Sequence, residues 1–173
     1  RKVLITDYVW PSVEPEKAVL AAGGAEIIVA PNGDEDTLVE LAKDVDGILT
    51  CFAKVTDRVV RAAEKCMVIG RYGVGVDNIA VDTATTAGIV VIYLPDYFVD
   101  EVSDHVMALL LTWNRQIGFY NGVAKEGRWS GVSSPAPLVR LRGRKLGIAG
   151  LGRIGRAVAV KAQAFGLEVS AHD

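Results

Sequence analysis

The stretch "GIAGLGRIGRAV", Gly147 to Val158, decides how the rest of the chain is read. An apolar run enters it, Gly150, Gly152 and Gly155 stand at G-x-G-x-x-G spacing, and a helical pattern leaves it. The first glycine permits a tight turn, the second lets the backbone approach a pyrophosphate, and the third lets helix and strand pack closely. The helix N-terminus adds the amides of Arg153 and Ile154 and about half a positive charge, both suited to an anion. Asp173 ends the next apolar run about 20 residues on, where an acid accepts hydrogen bonds from an adenosine ribose. Strand, helix, strand and acid in that order predict the first βαβ unit of a Rossmann dinucleotide-binding domain; the bland alternative is a glycine turn without a ligand. A carboxylate at this place repels a 2′-phosphate, so NAD is expected over NADP.

Working back from the turn, "SGVSSPAPLVRLRG" is a loop rich in Ser, Pro and Gly that marks a boundary. Before it, Asp100 is read as the cap of a long helix whose apolar residues Val102, Val106, Leu109, Trp113 and Ile117 recur at spacings of four and three, fading through "GVAKEGRW". Further upstream, "KVLIT", "AEIIVA", "DGILTC", "CMVIG" and "GIVVIYL" are short β-branched runs separated by four segments of helical period. That alternation predicts a doubly wound parallel α/β sheet of five strands. The strands are almost continuously apolar, as expected where helices cover both faces. The expected division is residues 1–99 as one domain and 100–173 as the long helix plus the start of the nucleotide domain. Two strands do not make a complete nucleotide domain and the chain begins with Arg1, so a truncated protein is expected.

A second glycine cluster, "GRYGVGVDN", Gly70 to Asn78, follows the fourth predicted strand. Open α/β sheets bind ligands beyond the carboxyl ends of their strands, and Gly73 and Gly75 would let the Val74 and Gly75 amides point at an anion such as a carboxylate. The alternative is a plain turn with Asp77 or Asn78 capping the next helix; Arg71 could pair with an acidic ligand or with a structural carboxylate. Both readings stay open on the residues alone.

Composition narrows the classes. The 173 residues are 50% apolar and 23% charged, and the formal net charge of −2 leaves no basic surplus for nucleic acid. No apolar run approaches the roughly 20 residues that cross a bilayer. Cys51 and Cys66 are read as small buried hydrophobes, which favours a reducing, cytoplasmic setting. His105, beside Asp104, is read as a packing or hydrogen-bonding residue, and His172 has no catalytic companions. No metal-ligand spacing and no G-x-S-x-G elbow is present.

Residues 70–111, "GRYGVGVDNIAVDTATTAGIVVIYLPDYFVDEVSDHVMALLL", followed by residues 141–173, "LRGRKLGIAGLGRIGRAVAVKAQAFGLEVSAHD", resemble the D-isomer-specific 2-hydroxyacid dehydrogenases. The resemblance implies a flavodoxin-like substrate domain into which the cofactor domain is inserted, so the glycine turn comes late in the chain by design. It implies hydride transfer between NAD and C2 of a small 2-hydroxy or 2-keto acid, in a homodimer whose contact involves the crossing helix and the nucleotide domain; an apolar face around Met107, Leu110 and Leu111, richer than one core needs, is compatible with such a contact. It implies that the Val74 and Gly75 backbone meets the substrate carboxylate with Val74 near the nicotinamide, a hydroxyl being lost where many relatives carry Ser or Thr. Tyr97 matches an aromatic position near the substrate, and Val102 and Ser103 match positions that approach the nicotinamide from the hinge. The family's catalytic arginine, acid and histidine map to no residue of this chain, so no catalytic residue is assigned and the chain alone is expected to be inert. Two rivals use the same features: an NAD-sensing, dimerising binding protein of corepressor type, and an S-adenosylmethionine site, which the first α/β domain disfavours.

Overall fold

The computed structural model describes residues 1–128 and 130–173. The chain divides into two compact units, Arg1–Pro95 and Asp96–Asp173. Trp129, where the fading helix of the sequence reading ends, lies outside the described residues.

Unit 1 alternates strand and helix: β1 (Lys2–Ile5), α1 (Glu14–Ala22), β2 (Glu26–Val29), α2 (Glu35–Ala42), β3 (Gly47–Thr50), α3 (Asp57–Ala62), β4 (Val68–Arg71), α4 (Val81–Thr86) and β5 (Val90–Ile92). All five strands pair in parallel in the order β2-β1-β3-β4-β5, the doubly wound sheet that the alternation predicts. Local chemistry sets the helix ends. Pro15 stands in the first turn of α1, Glu35 and Asp36 open α2 where the helix dipole favours acids, and the Thr56 hydroxyl accepts from the Val59 amide at the start of α3. Gly88 follows α4 at φ +74°, a left-handed conformation that ends the helix cheaply only for glycine.

The main core cluster sits on one face of the sheet. Leu4, Ile48 and Ile69 point from neighbouring strands into Leu38, Val45, Val55, Val59 and Val60. The opposite face is more thinly covered, because α1, which packs beside β2, buries no residue. Val90 and Ile92 at the β5 edge are therefore more than half exposed, although their run is as apolar as the buried strands. Helices lie on both faces, as the apolar strands predict, but they cover them unequally. Right-handed crossovers explain the asymmetry: the chain reverses once, after β2, and only α1 precedes the reversal.

Unit 2 contains α5 (Val99–Asn114), α6 (Ile117–Lys125), β6 (Lys145–Ala149), α7 (Arg153–Ala164) and β7 (Glu168–His172), with β6 and β7 parallel. The long helix differs from its sequence reading in three ways. It breaks at Gln116, a non-glycine residue at φ +53°, so Ile117 begins a separate helix. Its N-cap is Phe98, without a side-chain cap bond, which leaves Asp100 inside the first turn. There Asp100 faces Lys161 of α7, whose ammonium also donates to Ser103 Oγ and Asp104 Oδ1, each at 2.7 Å. Finally, Met107 is buried against Ala162 and Leu167, with Leu110 packed alongside. The face expected to remain free for a partner is thus the one turned to α7, and the stripe Val106, Leu109 and Trp113 is exposed instead. Both faces of α5 are apolar, and the one carrying Met107 and Leu110 packs on α7.

Candidate functional site

The glycine turn of unit 2 joins β6 to α7. Gly150 has φ +93° and its amide donates to the His172 carbonyl at 2.7 Å, tying the turn to the end of β7. A Cβ placed on Gly155 would lie 2.1 Å from the Gly150 carbonyl oxygen, whereas one on Gly152 would meet nothing within 4 Å. The three glycines therefore do different work: left-handed backbone, open space before the helix, and close contact of helix with strand. Gly152 is the N-cap of α7, without a side-chain cap bond, so the first turn of a 12-residue helix presents amides that have no intrahelical acceptor. Ile154, in that turn, is half-buried. The arrangement suits an anion of pyrophosphate shape.

Asp173 stands beside this turn, its Oδ1 accepting from the Leu151 amide at 2.9 Å. That bond fixes the loop and leaves the second carboxylate oxygen for a further donor. Two contacts escaped the sequence reading. Arg156 Nε donates to the Leu151 carbonyl at 2.9 Å, holding the loop from the helix side. Arg153 Nε pairs with Asp96 Oδ1 at 2.9 Å, both side chains more than half exposed. The first spans only five residues of the turn; the second joins residues whose proximity depends on the fold and has no local signal.

In unit 1 the loop after β4 carries the second candidate. The Leu94 amide donates to the Gly73 carbonyl, and among the described residues nothing accepts from the amides of Val74 and Gly75. Neither Asp77 nor Asn78 caps α4, whose N-cap is Ala80. Asn78 Nδ2 instead donates to the Ala53 carbonyl at 2.9 Å. The purely structural reading of "GVGVD" as a capped turn thus loses its caps, and the loop retains two unpaired amides near the carboxyl ends of β3 and β4. The Arg71 guanidinium lies against Gly73, where a Cβ would be 1.5 Å from Nη1, and Arg71 Nε is buried without a hydrogen-bond partner.

Asp7, just beyond β1, is a carboxylate at the carboxyl end of the sheet that the sequence reading did not single out. Its two oxygens accept the amides of Cys51 at 2.9 Å and Phe52 at 2.7 Å, and Oδ1 also accepts the Thr6 hydroxyl at 2.8 Å. Burial alone would raise this carboxyl, but these bonds outweigh it and hold Asp7 below the ordinary aspartate range. The available signal was an acid directly after the first strand, where open sheets place ligand-binding residues.

The remaining expected residues belong to unit 2. Tyr97 is 55% exposed and stacks edge-on with Phe98, ring centroids 4.3 Å apart. Val102 is half-buried. Ser103 is fully buried, and its hydroxyl donates to the Val99 carbonyl and accepts from Lys161. Its side chain thus belongs to the α5 and α7 contact. His105 is exposed and has no hydrogen bond among the described residues. Cys51 and Cys66 are buried free thiols. No helix is long and apolar enough to cross a membrane among the described residues.

The family model "D-isomer specific 2-hydroxyacid dehydrogenase, catalytic domain" matches residues 3–168. D-3-phosphoglycerate dehydrogenase of Methanocaldococcus jannaschii is 39% identical over 173 residues, 99% of this chain and 32% of its own length. The rat enzyme of the same name is 35% identical over 174 residues, covering 100% of this chain and again 32% of its own. The chain therefore spans about a third of the length of the curated relatives it matches. Among solved structures, an NADPH-dependent glyoxylate/hydroxypyruvate reductase from Sinorhizobium meliloti in complex with citrate superposes with a TM-score of 0.85 at 30% identity, over 99% of this chain and 54% of the other.

Proposed function

The chain belongs to the D-isomer specific 2-hydroxyacid dehydrogenase family, and from that premise we propose that the whole protein transfers hydride between NAD and C2 of a small D-2-hydroxy or 2-keto acid. What supports the reading is the glycine turn, with Gly155 against the Gly150 carbonyl, open space over Gly152, and Asp173 at its side. Residues 1–99 are the substrate-binding domain and 100–173 are the crossing helix and the start of the NAD-binding domain.

Gly150, Gly152 and Gly155 shape the pyrophosphate cradle, and the amides of Arg153 and Ile154 hold its charge at the start of α7. The free oxygen of Asp173 accepts from the adenosine ribose. A 2′-phosphate set at ~4 Å from that carboxylate would cost roughly 4 kcal/mol per charge pair at an effective dielectric of ~20, which favours NAD over NADP. The Val74 and Gly75 amides hold the substrate carboxylate and Val74 also serves the nicotinamide; Tyr97 serves the substrate, and Val102 and Ser103 the nicotinamide. When bound, the nicotinamide supplies the redox chemistry; these residues bind and orient. The family's catalytic trio maps to none of them, so the 173 residues alone are expected to be inactive.

The protein works as a homodimer joined through the exposed α5 stripe of Val106, Leu109 and Trp113. The unpaired thiols favour a reducing, cytoplasmic setting.

Titrating the full-length protein with NADH by fluorescence, then supplying glyoxylate, pyruvate or hydroxypyruvate, tests the assignment. Saturable NADH binding with oxidation on keto-acid addition is expected. Absence of NADH binding overturns it, and binding without turnover of any keto acid transfers the protein to the NAD-sensing, corepressor-like alternative.

A further inference from the structure

Unit 1 gathers its aromatic side chains at one edge of the sheet. They are Tyr8, Trp10, Phe52, Tyr72 and Tyr93, and each follows the carboxyl end of a strand: β1 ends at Ile5, β3 at Thr50, β4 at Arg71 and β5 at Ile92. The hydrophobic core of the unit contains none of them. Trp10 meets Tyr72 edge-on at 4.6 Å between centroids, Tyr8 lies 5.9 Å from Trp10, and the Arg71 guanidinium stands 6.0 Å from the Phe52 ring centre. The Phe52 side chain is 65% exposed. One exposed phenylalanine is ordinary. Aromatic residues at four strand ends are different, because β1 and β3 flank the point where the strand order reverses, and open sheets take ligands in the crevice outside it.

Charge at this edge points the same way. The successive amides of Cys51 and Phe52 would form an anion-binding nest at the reversal point, but Asp7 occupies both. A phosphate placed there would meet a carboxylate instead of donors. The unpaired amides of Val74 and Gly75, on the loop that begins with Tyr72, remain for a single carboxylate, with the Arg71 charge laid against Gly73 beside them.

We propose that this edge selects the substrate's side chain: an unphosphorylated 2-keto or 2-hydroxy acid bearing an aryl group, its carboxylate on the Val74 and Gly75 amides and its ring against Phe52 and Trp10. The assignment rests on the dehydrogenase reading above and separates this chain from its phosphoglycerate-dehydrogenase relatives in substrate class.

The test compares kcat/KM of the full-length protein for phenylpyruvate, glyoxylate and 3-phosphohydroxypyruvate with NADH. Phenylpyruvate is expected to exceed each of the others by about tenfold or more, and Phe52→Ala to lower the phenylpyruvate-to-glyoxylate ratio by about tenfold, the scale of one apolar contact in a pocket. Trp10 provides a second readout on the unaltered protein: with NAD bound, phenylpyruvate changes the tryptophan emission at micromolar to millimolar concentrations and 3-phosphohydroxypyruvate does not. Equal use of the three acids, or preference for the phosphorylated one, overturns the aryl assignment and leaves the dehydrogenase reading intact. Reduction of none of them despite NADH binding overturns both.

Discussion

The Asp173 carboxylate accepts the Leu151 amide at 2.9 Å, so the residue proposed to read the cofactor's ribose also fixes the loop that receives its phosphates. Asp173→Asn keeps one acceptor for Leu151 but removes the charge that repels a 2′-phosphate. In the full-length protein, NADH affinity is expected to fall by about tenfold, equivalent to ~1.4 kcal/mol, while NADPH affinity holds or rises. Fluorescence titration with both nucleotides measures this; an unchanged preference would place the discrimination elsewhere.

Two glycine substitutions separate packing from binding. Gly155→Ala drives a methyl into the Gly150 carbonyl and is expected to cost about 1–3 kcal/mol of stability in urea unfolding, with NADH binding lost. Gly152→Ala meets no neighbour, and its φ of −66° suits alanine. Its stability should stay within about 0.5 kcal/mol of the parent, while NADH affinity drops because the methyl occupies the proposed phosphate space. Equal effects on both properties in the two variants would contradict this division.

Acid sensitivity of unit 1 traces to carboxylates held below their ordinary range. Asp7 is lowered by bonds that outweigh its burial, and Asp44, hydrogen-bonded by Lys2 and Lys65, lies at about 2. A depressed folded-state value contributes stability that is fully present above the unfolded pKa of about 4 and is lost as pH falls through the folded value. Circular dichroism between about pH 5 and 2 should therefore show progressive loss of unit 1. Asp7→Asn should be less stable at neutral pH, because one amide loses its acceptor, and should lose less of its remaining stability in acid. A parallel acid profile for variant and parent would exclude Asp7 as a contributor.

The exposed stripe of α5 predicts the assembly. Trp113 is 65% exposed and Leu109 58%, and charged replacements there remove apolar contact area without touching the side that packs on α7. Leu109→Glu with Trp113→Asp should convert a dimer to a monomer in sedimentation velocity, with little change in the monomer's far-ultraviolet dichroism. A parent protein that sediments as a monomer at micromolar concentration would refute the proposed contact.

Local chemistry determined much of this protein in one dimension. The spacing of Gly150, Gly152 and Gly155 between an apolar run and a helical pattern needs only the geometry of a tight strand-to-helix turn. The β-branched runs alternating with helical periods likewise imply a parallel sheet, because parallel neighbours require crossovers. The tertiary structure alone decided which of two apolar faces of α5 meets α7, since periodicity marks both and only packing against Ala162 and Leu167 selects Met107. It alone joined Asp7 to amides 44 and 45 residues away and drew Asn78 to the Ala53 carbonyl. Such contacts arise from neighbouring strand ends, and no periodicity along the chain encodes which ends become neighbours.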